Sequence, residues 1–354
     1  TEHSVRNAPY KNGQGDLVRE VSDACAEAGI RFGVYLSPWD RNSAVYGQGK
    51  AYDDYFVHQL TELLTNYGPI FAVWFDGACG EGPNGKKQTY DWARYYKVVR
   101  TLQPGACINI CGPDIRWCGN EAGHARTAER CVLPAELFSN EEIAARSQQT
   151  DDPSFREQPQ ADDNDLGSRA RLAYAKTMRW YPAEVDTSIR PGWFYHASED
   201  DKVRTLDDLL NVYLGSVGGN ASLILNIPPT PEGLFHENDV RRLEEIGETL
   251  RGWFAENLLN RADTRMEAPD AQPGFGIENA REENYETPDG VWHTEITASW
   301  DTPVSIRHLI LKEDLRYGER IESFAVDALQ NGEWVEQASG LTVGHKRIVT
   351  LDTA

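Results

Sequence analysis

From residue 16 onward two hydrophobic rhythms alternate along the chain. In DLVREVSDACAEAG, the apolar positions Leu17, Val18, Val21, Ala24, Cys25 and Ala28 share one helical face, with Asp16 placed as an N-cap and Gly29 as a stop. IRFGVYLS then reads as a strand, DDYFVHQLTELLTNYG as a second amphipathic helix, and IFAVWFD as a strand. YDWARYYKVVRTLQPG is a helix again and ACINICG a strand. Further on, EVDTS and ASLILNIPP read as strands, with TLDDLLNVYLGSV a helix between them and NDVRRLEEIGETLRGWFAEN a long helix after them.

Such β-α-β-α alternation implies a parallel sheet, doubly wound or closed as a (β/α)8 barrel. The strand ends favour the barrel. Polar residues sit after several of them: Tyr35, Ser37 and Asp40; Asp76; Asn109 and Asp114; Asp186 and Arg190; Asn226. Many strands feeding one active face is the barrel's arrangement. The expected fold class is therefore α/β, a (β/α)8-type barrel of which about six βα units are read. After residue 262 the runs become short, partly alternating and divided by turn residues, and LQNGEWV places Asn-Gly between two of them, a hairpin signal. Residues 1–262 are thus expected to form the partial barrel and 263–354 a β-sandwich without its closing strand, with NRADTRMEAPDAQPG as the linker. The polar stretch 145–170 reads as a βα loop near the active face or as a disordered excursion.

Composition narrows the function. With 35 Lys and Arg against 56 Asp and Glu, the formal net charge is −21, which opposes binding nucleic acid or anionic membrane through a basic face. No run of about 18 apolar residues suggests a membrane span, and the polar opening TEHSVRNAPYKNGQGD lacks the apolar region of a signal peptide. A periplasmic, secreted or cytoplasmic bacterial location stays open. The six cysteines are spaced too widely for paired zinc ligands and read as small hydrophobes in a reducing compartment, one disulfide remaining an alternative. No metal or cofactor is expected, and oligomeric state is not legible.

The chemistry concentrates in FAVWFDGACGEG, where an apolar run ends on Asp76. A carboxylate at the end of a barrel strand points into the site, and Gly77 and Ala78 are expected to leave room for a ligand. Trp74, two positions back, faces the same way, and an indole beside a carboxylate suits a sugar. Capping a helix or pairing with an Arg would also explain Asp76. Glycoside cleavage generally needs a second carboxyl group, and CGPDIRWCGNEAGHAR offers Asp114 and Glu121, the latter in a tight loop of small residues.

VWFDGA together with PDIRWCGNEAG resembles the α-L-fucosidases of glycoside hydrolase family 29, in the subgroup preferring branched α-1,3/1,4-linked fucose of Lewis-type glycans. YKNGQGDLVREV, FGVYLSPWDRN, SIRPGWFYH and NASLILNIPPTPEG match in the family's order, and the likeness covers most of residues 1–350. The resemblance implies a retaining mechanism. Asp76 would be the nucleophile and Glu121 the general acid/base, protonated because the ionised Asp76 lies nearby, with the two carboxyl groups about 5–5.5 Å apart. Tyr35 would donate near the nucleophile, Arg116 would meet a fucose hydroxyl or Asp76, and Trp193 would pack on the fucose methyl. Trp39 and Asp40 would line the leaving-group side or shape their loop. His124 and His196 read as structural. The implied partner is a fucosylated oligosaccharide or glycan.

One departure stands out. The family's histidine pair at an early barrel strand has no match, and His3 lies downstream of its place. By that alignment two βα units are missing, so a chain clipped at both ends is expected to be poorly stable and inactive alone, with unpaired strand edges. The rivals are another retaining glycosidase, such as a galactosidase, and a carbohydrate-binding protein with an inactive barrel.

Overall fold

A computed structural model describes residues 4–147, 165–269, 277–281 and 295–351. In chain order its elements begin with α1 (Leu17–Glu27), β1 (Val34–Tyr35), α2 (Lys50–Asn66), β2 (Ala72–Phe75), α3 (Trp92–Leu102), β3 (Cys107–Ile110), β4 (Arg116–Trp117), β5 (Val132–Pro134) and α4 (Asn140–Arg146). There follow α5 (Arg169–Leu172), β6 (Met178–Trp180), β7 (Ala183–Ser188), α6 (Leu206–Ser216), β8 (Ala221–Asn226) and α7 (Glu237–Trp253). Last come β9 (Thr264–Glu267), β10 (Thr297–Trp300), β11 (His308–Leu311), β12 (Phe324–Gln330), β13 (Glu333–Gly340) and β14 (Arg347–Thr350).

By internal packing the chain divides into two compact units. One takes in Thr1–Trp117, Ala135–Phe155 and Trp180–Pro182; the other takes in Cys118–Pro134, Arg156–Arg179 and Ala183–Ala354.

In the first unit, helix starts follow local chemistry. Asp16 accepts a hydrogen bond from the Arg19 N–H at 3.0 Å to cap α1, and Asp91 does the same for Arg94 at 3.1 Å to cap α3. Gly29 ends α1 with φ +68°, a conformation that favours glycine. Strands β1, β2 and β3 pair in parallel, with Tyr35 opposite Trp74 and Trp74 opposite Asn109. On β2 the inward Val73 and Phe75 are buried, while Trp74 and then Asp76 take the other face. Phe75 packs with Phe56 of α2 and Tyr95 of α3 in one aromatic core. That core fixes β2, and so the end of β2 from which Asp76 projects.

In the second unit β7 and β8 pair in parallel from Ala183↔Ala221 to Ser188↔Asn226. Thr205 caps α6 by accepting from the Asp208 N–H at 3.2 Å. Three antiparallel pairs follow: β9 with β10, β11 with β14 and β12 with β13. The β12–β13 hairpin turns at Asn331-Gly332, both at positive φ (53° and 87°), as a two-residue hairpin turn demands.

The α/β alternation is thus present as small parallel ladders, and the ladders among the described residues do not by themselves show closure into a barrel. The expected linker contains β9, whose Thr264 is buried and donates to the Leu258 carbonyl at 2.9 Å. A four-residue strand without an apolar run leaves little periodicity to read. Of the expected 145–170 insertion, residues 148–164 lie outside the described residues; α4 runs into its start and α5 opens at its end. No described helix is long and apolar enough to cross a membrane.

Candidate active site

In the first unit, Asp76 follows β2 directly and is half-buried. Its Oδ2 accepts from the Tyr35 hydroxyl at 2.5 Å and its Oδ1 from the Ala78 N–H at 2.8 Å. Tyr35 reaches it because the parallel register sets Tyr35 beside Trp74, and the two rings stack at 5.2 Å. Burial pushes the Asp76 carboxyl above the ordinary carboxylate range; the Tyr35 hydroxyl and the Ala78 N–H pull the other way by stabilising the anion. Tyr35 leaves 55% of its surface to solvent. Around its hydroxyl, burial, the Asp76 charge and the hydrogen bond all raise the phenol's pKa, so it stays a donor. This is an oriented carboxylate with one aromatic wall.

The room expected beside Gly77 is taken. A Cβ there would come within 2.4 Å of the Ser147 Oγ and 3.3 Å of Ile143, so α4 and the residue after it occupy that side. Asp40 shapes its own loop, accepting from the N–H groups of Asn42 and Ser43 at 3.0 and 3.1 Å and from the Tyr55 hydroxyl at 2.8 Å. Trp39 is half-buried, its indole N–H toward the Glu81 carbonyl at 3.4 Å and the Arg41 guanidinium 5.3 Å from its ring centre. Arg116 is buried; its Nε donates to the Tyr181 carbonyl at 3.0 Å and its guanidinium lies 5.5 Å from the Phe138 ring.

Of the two loop acids, Asp114 accepts from Arg100 at 2.5 Å and from the Ile108 N–H at 2.8 Å, a commitment that ties α3 to β3. Glu121 belongs to the second unit and lines a cavity of about 260 Å³ with Thr187, Ser188, Arg190, Pro191, Trp193, Lys202 and Arg204. Its backbone carbonyl accepts from the Thr187 hydroxyl at 2.9 Å, and its Oε2 accepts from the Trp193 indole N–H at 3.3 Å. The loop is tight because Gly123, at φ +97°, lets it press on α6: a Cβ would lie 2.8 Å from Val212. The Asn120 side chain bridges the same turn, donating to the His124 carbonyl at 2.9 Å and accepting from the Ala122 N–H at 3.0 Å. His196 is exposed and His124 half-buried, its ring near Gly215 of α6.

Tyr35, Trp74 and Asp76 therefore meet in one unit, and Glu121 and Trp193 in the other. Several neighbours of Glu121 were not foreseen as site residues. Thr187, Lys202 and Arg204 carry no motif that spacing could reveal, whereas Ser188, Arg190, Pro191 and Trp193 share the SIRPGWFYH text. Among the described residues no His, Cys, Asp and Glu side chains group as a metal site.

The sequence model of the family described as Alpha-L-fucosidase matches residues 1–253. The chain is 37% identical over 361 residues to Alpha-L-fucosidase 1 of Arabidopsis thaliana, covering 99% of this chain and 66% of that protein. The crystal structure of a glycoside hydrolase 29 family member from an unknown rumen bacterium is 35% identical, with a TM-score of 0.77 over 100% of this chain and 58% of that one. That of SpGH29 is 31% identical, with a TM-score of 0.81 over 100% of this chain and 75% of that one. The chain thus spans about two thirds of the Arabidopsis protein's length.

Proposed function

The chain belongs to the alpha-L-fucosidase family, and from that premise we propose that it acts as a retaining exo-α-L-fucosidase on α-1,3/1,4-fucosyl linkages of branched oligosaccharides or glycoconjugates. The observation that carries this reading is Asp76: a carboxylate at a strand end, held by Tyr35 and the Ala78 N–H beside the Trp74 ring. In the proposed double displacement the Asp76 carboxylate attacks the anomeric carbon while Glu121 gives its proton to the departing glycosidic oxygen. Glu121 then takes a proton from water, and the resulting hydroxide equivalent releases fucose from the aspartyl ester. Two displacements at one carbon return the original anomer. Trp193 would meet the apolar methyl edge of the 6-deoxy sugar, with Trp39, Asp40 and Arg116 in supporting roles around the substrate. Residues 1–262 would supply strands of a (β/α)8-type barrel and 263–354 the β-sandwich that follows it.

The test is turnover of an aryl α-L-fucoside and of a Lewis-type trisaccharide. Asp76→Ala should lose at least about a thousandfold in kcat, or ~4 kcal/mol of transition-state stabilisation. Azide, entering from the vacated face, should restore release of the phenol and leave β-L-fucosyl azide. Undiminished turnover by Asp76→Ala would remove the nucleophile assignment; cleavage of the aryl fucoside but not the trisaccharide would remove the linkage assignment.

A further inference from the structure

We propose that the buried ion pair between Arg190 and Asp239 is a positioning device: it holds the turn over residues 190–196 so that the Trp193 indole N–H meets the Glu121 carboxylate. The proposal rests on the reading of Glu121 as the acid/base and names what keeps that group in place.

Arg190 lies just past β7, and Asp239 in the first turn of α7. Neither side chain has any exposed surface, and the Arg190 Nε donates to both Asp239 oxygens at 3.0 Å. Arg190 Nη1 donates to Asp200 Oδ1 at 2.9 Å. The other Asp200 oxygen accepts from the Tyr195 hydroxyl at 3.3 Å and faces His236 Nε2 at 3.4 Å. The Arg190 guanidinium also lies 4.9 Å from the Tyr195 ring centre. Trp193 is therefore bracketed: the residue three before it and the residue two after it are tied to the same Asp200, and the first of them to α7.

Backbone bonds alone do less. Ser188 donates to the Gly192 carbonyl at 2.7 Å and Asn226 to the Trp193 carbonyl at 3.0 Å. These fix two carbonyls of the turn. A wholly buried ion pair loses in desolvation much of what it gains in attraction, so its net contribution to stability is small. What it supplies is direction, because a guanidinium donates to carboxylates along set lines. The direction matters here since Arg190, Pro191, Trp193 and Glu121 line the same cavity.

The test follows the indole directly, in the 354-residue chain with ¹⁵N-labelled tryptophan at pH 7. Trp193→Phe assigns one signal among the ten Trp, and Glu121→Ala gives its position without the carboxylate. Arg190→Lys and Asp239→Asn should move that signal toward the Glu121→Ala position and leave the other indole signals in place. A folded variant whose Trp193 signal stays at the wild-type position would overturn the proposal and leave Asn226 as sufficient anchor. Should both fail to melt cooperatively, Asp200→Asn, which spares the buried pair, should move the signal by less in the same direction; no movement overturns the proposal. Kinetics give a second readout. Loss of acid positioning should lower kcat/KM about tenfold or more further for an alkyl fucoside than for an aryl fucoside with an acidic phenol, which needs little protonation to depart. Equal losses on both would also count against it. If the wild-type chain cleaves neither fucoside, only the kinetic readout is lost, and the indole signal still decides the positioning claim.

Discussion

At the scale of single residues, Asp76 was legible because charge is rare at the end of a buried run, and the period of two puts Trp74 on its side. Tyr35 was legible as a polar strand end, and the parallel register turned that into a hydrogen bond to Asp76. The choice between Asp114 and Glu121 was not legible from composition, because what separates them is a partner 14 residues upstream on α3 for one and an indole 72 residues downstream for the other. The space expected at Gly77 was misjudged for a similar reason: its occupants, Ile143 and Ser147, are far along the chain. The Tyr35 bond carries a prediction. Tyr35 donates to the ionised form of Asp76 and so opposes the burial that raises its pKa. In Tyr35→Phe that opposition is gone, the pKa rises further, and at any acid pH a smaller fraction is carboxylate. The acid limb of the kcat/KM profile should therefore move to higher pH. A charge-assisted hydrogen bond contributes about 1.5–3 kcal/mol, so the acid-side loss should be roughly tenfold or more. A profile that falls equally at every pH would show that Tyr35 holds substrate and does not tune Asp76.

Secondary-structure elements were legible where local chemistry decides them. Asp16 and Gly29 bound α1 as expected, and Asn331-Gly332 makes the β12–β13 turn. Where pairing decides, the sequence said less: IRFGVYLS yields only Val34–Tyr35 as ladder, and β9 exists because β10 pairs with it. Pairing also sets the surroundings of His308 on β11. Its ring centre lies 4.3 Å from that of Trp253 at the end of α7, and its Nδ1 lies 3.3 Å from the Thr350 hydroxyl across the ladder. Nε2 is buried with no hydrogen-bond partner among the described residues. Burial and the neighbouring Arg307 lower its pKa below the ordinary value of 6.5. The unfolded chain keeps the ordinary value, so as pH falls through it the unfolded state takes up the proton first and stability drops. Above that pH both states are neutral and nothing is lost. His308→Phe keeps a ring against Trp253 and removes the titration. Its melting temperature should therefore fall less than the wild type's between pH 7.5 and pH 5.5. An equal fall in both would assign the acid sensitivity to other groups.

At the scale of the whole molecule, alternation of strands and helices announced parallel pairing, and β1–β2–β3 and β7–β8 pair in parallel, while β9–β10, β11–β14 and β12–β13 are antiparallel. Closure into a barrel is a property of many strands together, which no single segment encodes, and it stands as a proposal beside ladders of two and three strands. Charge, by contrast, is additive and was readable outright: −21 at pH 7. Such an excess of like charge repels itself in the compact state. The ion pairs that oppose it include exposed ones such as Arg265–Asp301 and Lys50–Asp54, each contributing about 0–1 kcal/mol. The two effects respond to salt with opposite sign. Raising ionic strength from about 0.01 M to about 0.15 M shortens the screening length from about 30 Å to about 8 Å. That range removes repulsion between distant carboxylates while pairs in contact lose much less. The melting temperature of the chain should therefore rise over that range in sodium chloride, and most of the rise should come before 0.15 M. A flat or falling curve would mean that local pairs outweigh the net charge, and the acidic surface could then not be held to work against the fold.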